Sequence, residues 1–427
     1  MKLHIEKAIY GGSGLARAEG KAVFIPFTLP GEEVEAEIVA DKGGFSTAEL
    51  QSVLEPSPAR APAPCPYYGQ CGGCHYQHAT YANQVEMKIS ILRESLERAR
   101  ITEIPDIKAI TAKPLGYRNR IRLHVQSNPF CLCYKFHKSH VNLPIATCPI
   151  ASPILQRAIE ALNREGQSLS LAEFVTELEL FTNSDESSLL LSFWAERPAP
   201  DAKQALDNLW PRLRQILPEI AGAGIFAMEK GRTTIRLLAS SAADSLLYPS
   251  ENRSYRVSLG SFFQVNRFLI DSLVDLVTAG ENGNSAWDLY AGVGLFCVPL
   301  AETFTEITAV ESSATAVRDL RENLRATKHR IVASDTAAFL RQALVQRLPA
   351  PDLIVVDPPR AGLLREVTTA LAKLQPRKIT YVSCDPATLS RDLAALLESG
   401  YRLSKLHLLD LFPQTFHLET VTHLSLG

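Results

Sequence analysis

No uninterrupted apolar stretch in this 427-residue chain approaches the roughly 18 residues needed to span a bilayer. The opening residues, MKLHIEKAIYGG, contain no apolar h-region, so no secretory leader is expected. Strong charge of either sign is missing too. Lys and Arg number 44 against 46 Asp and Glu, a net of −2, which excludes a chain basic throughout but leaves room for local patches. Internal repeats and low-complexity tracts are absent. These absences predict a cytoplasmic protein with no membrane partner, long enough for two or three domains. In that compartment the eight cysteines are expected as thiols or metal ligands, not disulfides.

Residues 1–58 carry four or five short strand-like runs separated by GGSG, LPGE and DKGG, which predicts a small barrel of the OB type. PSPARAPAPCP, 56–66, holds five prolines and reads as a linker. A cysteine cluster and a helix from about Tyr81 to Arg100 follow. From 59 to 258 strand-like runs such as YRNRIRLHV and SLLLSFW mix with helices, an α+β central domain. Part of 77–111 is expected to pack with the domain that follows. From 285 on strand and helix alternate strictly, which makes 259–427 a domain expected to hold a Rossmann-like, doubly wound, mostly parallel α/β sheet.

In such sheets ligands bind beyond the carboxyl ends of the strands. The first end is DLYAGVG, 288–294, where two glycines allow a tight turn; the third glycine of a dinucleotide fingerprint is lacking, since position 297 is Cys. Glu311 closes the second strand, where an acid can bind both ribose hydroxyls, and Asp335 closes the third, where it could hold an adenine amino group. A ribose acid without a pyrophosphate fingerprint favours S-adenosylmethionine over a dinucleotide. The fourth strand ends in DPPR, with Asp357 aimed into the cleft by paired prolines. Enzymes that methylate base amino groups carry an aromatic after those prolines; Arg360 stands there instead. Cys384, in YVSCDPATLSRDL, ends the fifth strand. The following helix favours its thiolate, whereas Asp385 opposes that charge while capping the helix. Cys297 reads as inert core.

Two further patterns lie upstream. CPYYGQCGGCHYQH has the spacing C-x5-C-x2-C, with Cys148 as a fourth candidate, and the spacing alone leaves zinc open with His75 or His78 as a ligand. Cys131 and Cys133, two apart on a strand, share a face and read as packing residues. Between Asp106 and Glu160 no acid occurs in 53 positions, where about six are expected at the chain average. Eight cations lie there, among them Arg118, Arg120 and Arg122, interleaved with Tyr117, Phe130, Tyr134 and Phe136. A surface that binds phosphates and stacks bases is expected. The barrel has the opposite balance, five Lys and Arg against nine Asp and Glu.

FFQVN (262–266), DLYAGVGLF (288–296), DPPRAGL (357–363), YVSCDPATLSRDL (381–393) and FPQTFHLETV (412–421) together resemble the RNA uracil-C5 methyltransferases, specifically the branch that carries a [4Fe-4S] cluster and acts on 23S ribosomal RNA. The resemblance runs essentially the full length and makes the barrel a TRAM domain. It implies that Gln264, Tyr290, Glu311 and Asp357 contact donor or target, with Asp335 a less constant member of that set. It makes Cys384 the nucleophile and Glu419 the base, and places the cluster on Cys65, Cys71, Cys74 and Cys148. The chemistry explains the pair. A thiolate added to carbon 6 of uracil places enolate charge on carbon 5, which then attacks the methyl group, and a carboxylate removes the carbon-5 proton before the thiol leaves. A monomer is expected. The same chemistry on tRNA remains an alternative, as does a non-catalytic iron–sulfur protein that binds RNA or senses redox state; the latter predicts loss of nucleophile or base, and both are present.

Overall fold

The computed structural model describes residues 1–171, 175–195, 201–228, 235–325 and 328–427. The N-terminal strands β1 (Lys2–His4), β2 (Lys7–Ala8), β3 (Ser13–Ala18), β4 (Lys21–Pro26), β5 (Glu33–Asp41) and β6 (Phe45–Glu55) form one sheet in the order β1-β5-β6-β4-β3-β2. Period-two alternation decides which side is buried. Val23 and Ile25 of β4, with Val34 and Ala36 of β5, meet Ile5 and Ala48 in a small core. Glu33, Glu35 and Glu37 alternate with them and face outward, which is where much of the acidic excess resides. Register shifts along β5 and β6 bend the pair so that the sheet curls on itself.

The proline-rich segment is fixed to this barrel. The buried carboxylate of Glu32 accepts from Arg60 Nε at 2.5 Å and Nη2 at 2.7 Å, and from the amides of Leu29 and Ser57. Next come α1 (Tyr81–Arg98) and β7 (Ile107–Ile110). Met87, Ile91, Leu92 and Leu96 give α1 a buried stripe in the same core as Leu389, Leu393 and Leu396.

The central sheet uses β8 (Arg120–Ser127), β9 (Phe130–Lys135), β10 (Asn142–Pro144), β11 (Glu177–Thr182), β12 (Leu189–Ala195), β13 (Ile220–Met228) and β14 (Ile235–Ala242), in the order β10-β9-β8-β11-β12-β13-β14. One face packs on α2 (Pro153–Glu165) and α3 (Ala202–Ile216) through Leu123, Leu191, Ile154 and Leu206. From the other face Phe181, Trp194 and Phe226 enter a second core. The hairpin of β15 (Ser245–Ser250) and β16 (Arg253–Ser258) contributes Tyr248 and Tyr255 to that core, beside Phe263 and Val274.

The last sheet comprises β17 (Gly283–Leu289), β18 (Phe304–Glu311), β19 (His329–Ala333), β20 (Leu353–Val356), β21 (Lys378–Ser383), β22 (Tyr401–Leu409) and β23 (Thr420–Leu426). With β7 at one edge its order is β19-β18-β17-β20-β21-β23-β22-β7, parallel from β19 to β21 and with β23 antiparallel. Helices α4 (Ile270–Thr278), α5 (Cys297–Leu300), α6 (Ala314–Asn323), α7 (Thr336–Val345), α8 (Arg365–Leu374) and α9 (Pro386–Glu398) accompany it. The central strands β20 and β21 are almost wholly buried, as a sheet covered on both faces requires. Their carboxyl ends, with those of β17 and β18, point the candidate residues to one rim.

Candidate active site and cysteine cavity

The turn after β17 is strained where a ligand would approach. Tyr290, Gly292 and Gly294 have φ of +68°, +57° and +99°, and a Cβ at Gly294 would come within 2.9 Å of Leu320. At Gly292 nothing lies within 4 Å of such a Cβ, so the backbone faces open space. Glu311 ends β18 with each carboxylate oxygen tied to an amide, Gly292 N at 2.9 Å and Ser313 N at 2.6 Å. The acid is thereby aimed beside the glycine turn. Asp335 is exposed, and its Oδ1 caps α7 by accepting from Ala338 N at 2.8 Å. Gln264 is buried, and its carbonyl accepts from Asn119 Nδ2 at 3.0 Å. Sequence reading overlooked Asp288, the buried acid that opens DLYAGVG. One carboxylate oxygen accepts from Cys297 N at 3.0 Å, and burial pushes its pKa up to about 8. It closes the glycine turn onto α5. Cys297 is fully buried beneath it.

Cys384 and Glu419 meet because of register. Ser383 and Thr420 are the last pair of the β21–β23 ladder, so one step outward Cys384 and Glu419 stand across from each other. Thr420 Oγ1 fastens this end by donating to Ser383 O at 3.0 Å. Asp357, directly after β20, is the third group on this rim. Asp385 caps α9 by accepting from the amides of Ala387 at 3.0 Å and Thr388 at 2.9 Å.

The electrostatics correct one expectation. The helix does not hold Cys384 as a thiolate; burial, then Glu419 and Asp357, push the thiol up to about 12, and Arg360 only partly offsets them. Glu419, 4% exposed, is pushed well above the usual carboxylate range by burial and then by Asp357. Asp357 rises to about 7 through burial. Burial thus favours the protonated form of all three groups, one thiol and two carboxyls. A residue not singled out beforehand, His417, lies beside them with Nε2 3.5 Å from Arg360 Nη2, and burial lowers its pKa to about 3.

Cys65, Cys71, Cys74 and Cys148 line a single cavity of about 80 Å³ together with Arg118 and Tyr134. The Tyr134 hydroxyl donates to Cys148 Sγ at 3.6 Å, while Arg118 Nε is buried with no partner among the described residues. Neither His75 nor His78 lines this cavity. His75 packs edge-on to Phe416 at 4.6 Å, and His78 Nδ1 lies 2.5 Å from Tyr68 Oη. No three His, Cys, Asp or Glu side chains among the described residues are gathered closely enough to hold one metal ion. Cys131 and Cys133 are elsewhere, on β9, with their sulfurs 3.6 Å apart.

The expected phosphate-binding and base-stacking stretch is also corrected. Tyr117 is fully buried, Phe130 is in the core, and Tyr134 belongs to the cysteine cavity, as does Arg118. Arg120 stacks 4.0 Å over Phe181 and donates to Ser261 O, and Arg122 pairs with Glu177 at 2.5 Å while lying 3.9 Å over Trp194. The acid-free interval is a property of sequence only. Strand β11, from outside it, sets Glu177 and Glu179 against β8.

A parallel sheet with a glycine turn and an acid beside it, preceded by a small barrel, is the fold of an S-adenosylmethionine-dependent methyltransferase with an N-terminal module. Residues 80–426 match the tRNA (uracil-5-)-methyltransferase family and residues 2–50 match the TRAM domain; the chain belongs to that family and is an RNA uracil-C5 methyltransferase. It is 35% identical to an uncharacterised RNA methyltransferase of Aquifex aeolicus, covering 100% of this chain and 98% of the relative. It is 32% identical to the 23S rRNA (uracil(1939)-C(5))-methyltransferase RlmD of Pectobacterium atrosepticum, covering 96% and 90%. Its fold is similar to that of the Pyrococcus abyssi tRNA (uracil-54, C5)-methyltransferase, solved with S-adenosyl-L-homocysteine. That likeness has a TM-score of 0.77 at 24% identity, covering 99% of this chain and 100% of that one. No helix among the described residues is long and apolar enough to cross a membrane.

Proposed function

We propose that the enzyme methylates carbon 5 of a uridine in 23S ribosomal RNA through a covalent bond between Cys384 and carbon 6. The observation that carries this reading is the placement of Cys384 opposite Glu419 at the end of one ladder, with Asp357 beside them. Cys384 starts as a thiol, so its proton must pass to a neighbouring base as the sulfur adds to carbon 6. The enolate then takes the methyl group, Glu419 removes the carbon-5 proton, and the electron pair of that C–H bond re-forms the ring double bond as sulfur leaves. An ionised Asp357 would accept from uracil N3–H, a donor that cytosine lacks at N3. S-adenosylmethionine, when bound, supplies the electrophilic methyl group; Gln264, Tyr290, Glu311 and Asp335 would hold it.

Cys65, Cys71, Cys74 and Cys148 would hold a [4Fe-4S] cluster. Four thiols around one small cavity suit it. Each cysteine would supply one ligand to a cluster that is larger than one ion, so the four sulfurs need not converge as they would on a single metal. The unpartnered Arg118 Nε suits the negative charge that four thiolates bring. The RNA assignment is supported by the Pectobacterium relative at 32% identity. Methyl transfer should be assayed on 23S rRNA and on tRNA from cells lacking this gene, with 5-methyluridine mapped by mass spectrometry. Methylation of the ribosomal RNA by the parent and none by Cys384→Ala is expected; modification of tRNA alone would reassign the substrate.

A further inference from the structure

The central sheet carries a column of flat groups that ends in an arginine. Trp194 of β12 is buried and stacks on Phe226 of β13, with ring centroids 5.0 Å apart and planes 20° from parallel. Over Trp194 lies the guanidinium of Arg122 from β8, 3.9 Å from the ring centroid. Its Nη2 is 2.5 Å from Glu177 Oε2, yet the Arg122 side chain remains 40% exposed. Glu177 stands directly across from Trp194 on one side and from His124 on the other, so the ladder register sets the acid beside the stack. These four side chains, with Lys135 and Asn142, line an open cavity of about 290 Å³. Two residues back along β8, Arg120 Nη1 donates to Ser261 O at 2.7 Å. The column therefore stands roughly 7 Å of strand from the contact with the segment that carries Gln264.

We propose that the guanidinium of Arg122 is a stacking platform for one unpaired base of the RNA substrate, at a subsite separate from the one that holds the target uracil. Single-stranded RNA is recognised on flat groups of this kind, aromatic rings and arginine planes alike. Glu177 already matches the charge of Arg122, so what the side chain offers is its plane and not a phosphate contact. One face of that plane is covered by the indole, and the cavity gives a base room to cover the other. An arginine held by an ion pair on one edge and an aromatic stack beneath loses little freedom when a base lands on it. Charge for the RNA backbone comes from Lys135 at the same cavity, whose Nζ donates at 2.6 Å to the neutral Asn142 Oδ1. The stretch that is basic in sequence thus meets RNA at one prepared point, through shape more than through net charge.

Filter binding of the full-length enzyme to an unmodified 23S rRNA transcript, with a tRNA transcript in parallel, tests this. Arg122→Lys keeps the charge and its reach to Glu177 but loses the plane. It should raise the Kd for RNA by roughly fivefold to thirtyfold. The slope of log Kd against log salt should stay as in the parent, because no phosphate contact is lost. Arg122→Phe is flat but uncharged, and should bind RNA more tightly than Arg122→Lys. Affinity for S-adenosylmethionine, which reports a folded catalytic domain, should match the parent's in both variants. Equal RNA affinity for parent and Arg122→Lys, or tighter binding by Arg122→Lys than by Arg122→Phe, would overturn the proposal. Failure of the ribosomal reading looks different: the parent would bind and methylate the tRNA transcript alone, and the platform would then be measured on that RNA.

Discussion

Cys384 sits where its reaction needs carboxylates, and those same carboxylates suppress the thiolate. The conflict resolves if the thiol ionises as it adds, with its proton passing to a group whose pKa burial has already raised. Asp357 and Glu419 both meet that description, so Asp357 can take the thiol proton while Glu419 is kept for the carbon-5 proton. Glu419→Gln removes this base and also one negative neighbour of the sulfur, so addition and methyl transfer should continue while release stops. A protein–RNA species that survives denaturing electrophoresis should accumulate, carry the methyl group, and disappear when Cys384→Ala is added. The parent enzyme should give a comparable species on RNA containing 5-fluorouridine, which has no carbon-5 proton to remove. Turnover of Glu419→Gln at the parent rate would reassign the base.

Helix α1 and the segment that follows β22 are joined by a charge pair in the interior. Lys88 is fully buried, with Nζ 2.6 Å from Asp410 Oδ1 and 3.0 Å from Phe412 O. One helical turn earlier, Gln84 exchanges two hydrogen bonds with Gln414, through Nε2 to Oε1 at 3.0 Å and from Gln414 N to Oε1 at 2.9 Å. The Gln414 carbonyl accepts from the amides of His75 and Tyr76. A single loop, 410–419, is thereby tied to α1 and to the cysteine segment, and it ends at Glu419. Lys88→Ala strands a buried carboxylate and should destabilise the fold by about 3–5 kcal/mol, read by urea unfolding. Lys88→Met combined with Asp410→Leu should recover much of that loss, since paired apolar replacements leave no charge uncompensated. Equal losses in the single and double variants would show that packing, not charge, dominates there.

At the scale of the molecule, barrel, cysteine loop and catalytic sheet converge on Phe416, which Tyr10 of the barrel meets edge-on at 5.2 Å and His75 of the cysteine loop at 4.6 Å. The cysteine cavity draws three thiols from one segment and Cys148 from the approach to α2, so a bound cluster would bridge parts of the chain that are far apart in sequence. Arg118, which lines the cavity, pairs through its backbone with Ala151 on one side and Asn266 on the other, two residues from Gln264. Protein purified without oxygen should contain about four iron atoms per chain. Cys148→Ser should lose iron, and Cys131→Ser, outside the cavity, should keep it. Stoichiometric zinc in place of iron would refute the cluster.

Much of this architecture is written locally. Strand–helix alternation after 285, the glycine turn, the acid at the end of β18 and the positions of Asp357 and Cys384 at strand ends all follow from periodicity and backbone preference over a few residues. The order of strands then brings those ends together, because parallel strands share one carboxyl rim. What acts through space was not legible. Eight cations without a nearby acid in sequence read as an open basic surface, yet β11 carries Glu177 and Glu179 to β8. The helix after Cys384 reads as favouring a thiolate, yet burial and the facing carboxylates leave a neutral thiol. Tyr10 carries no mark in its own stretch that places it against Phe416, more than 400 residues on. Conformational preference is set by neighbours along the chain, whereas charge state and burial depend on distances that only the tertiary structure decides.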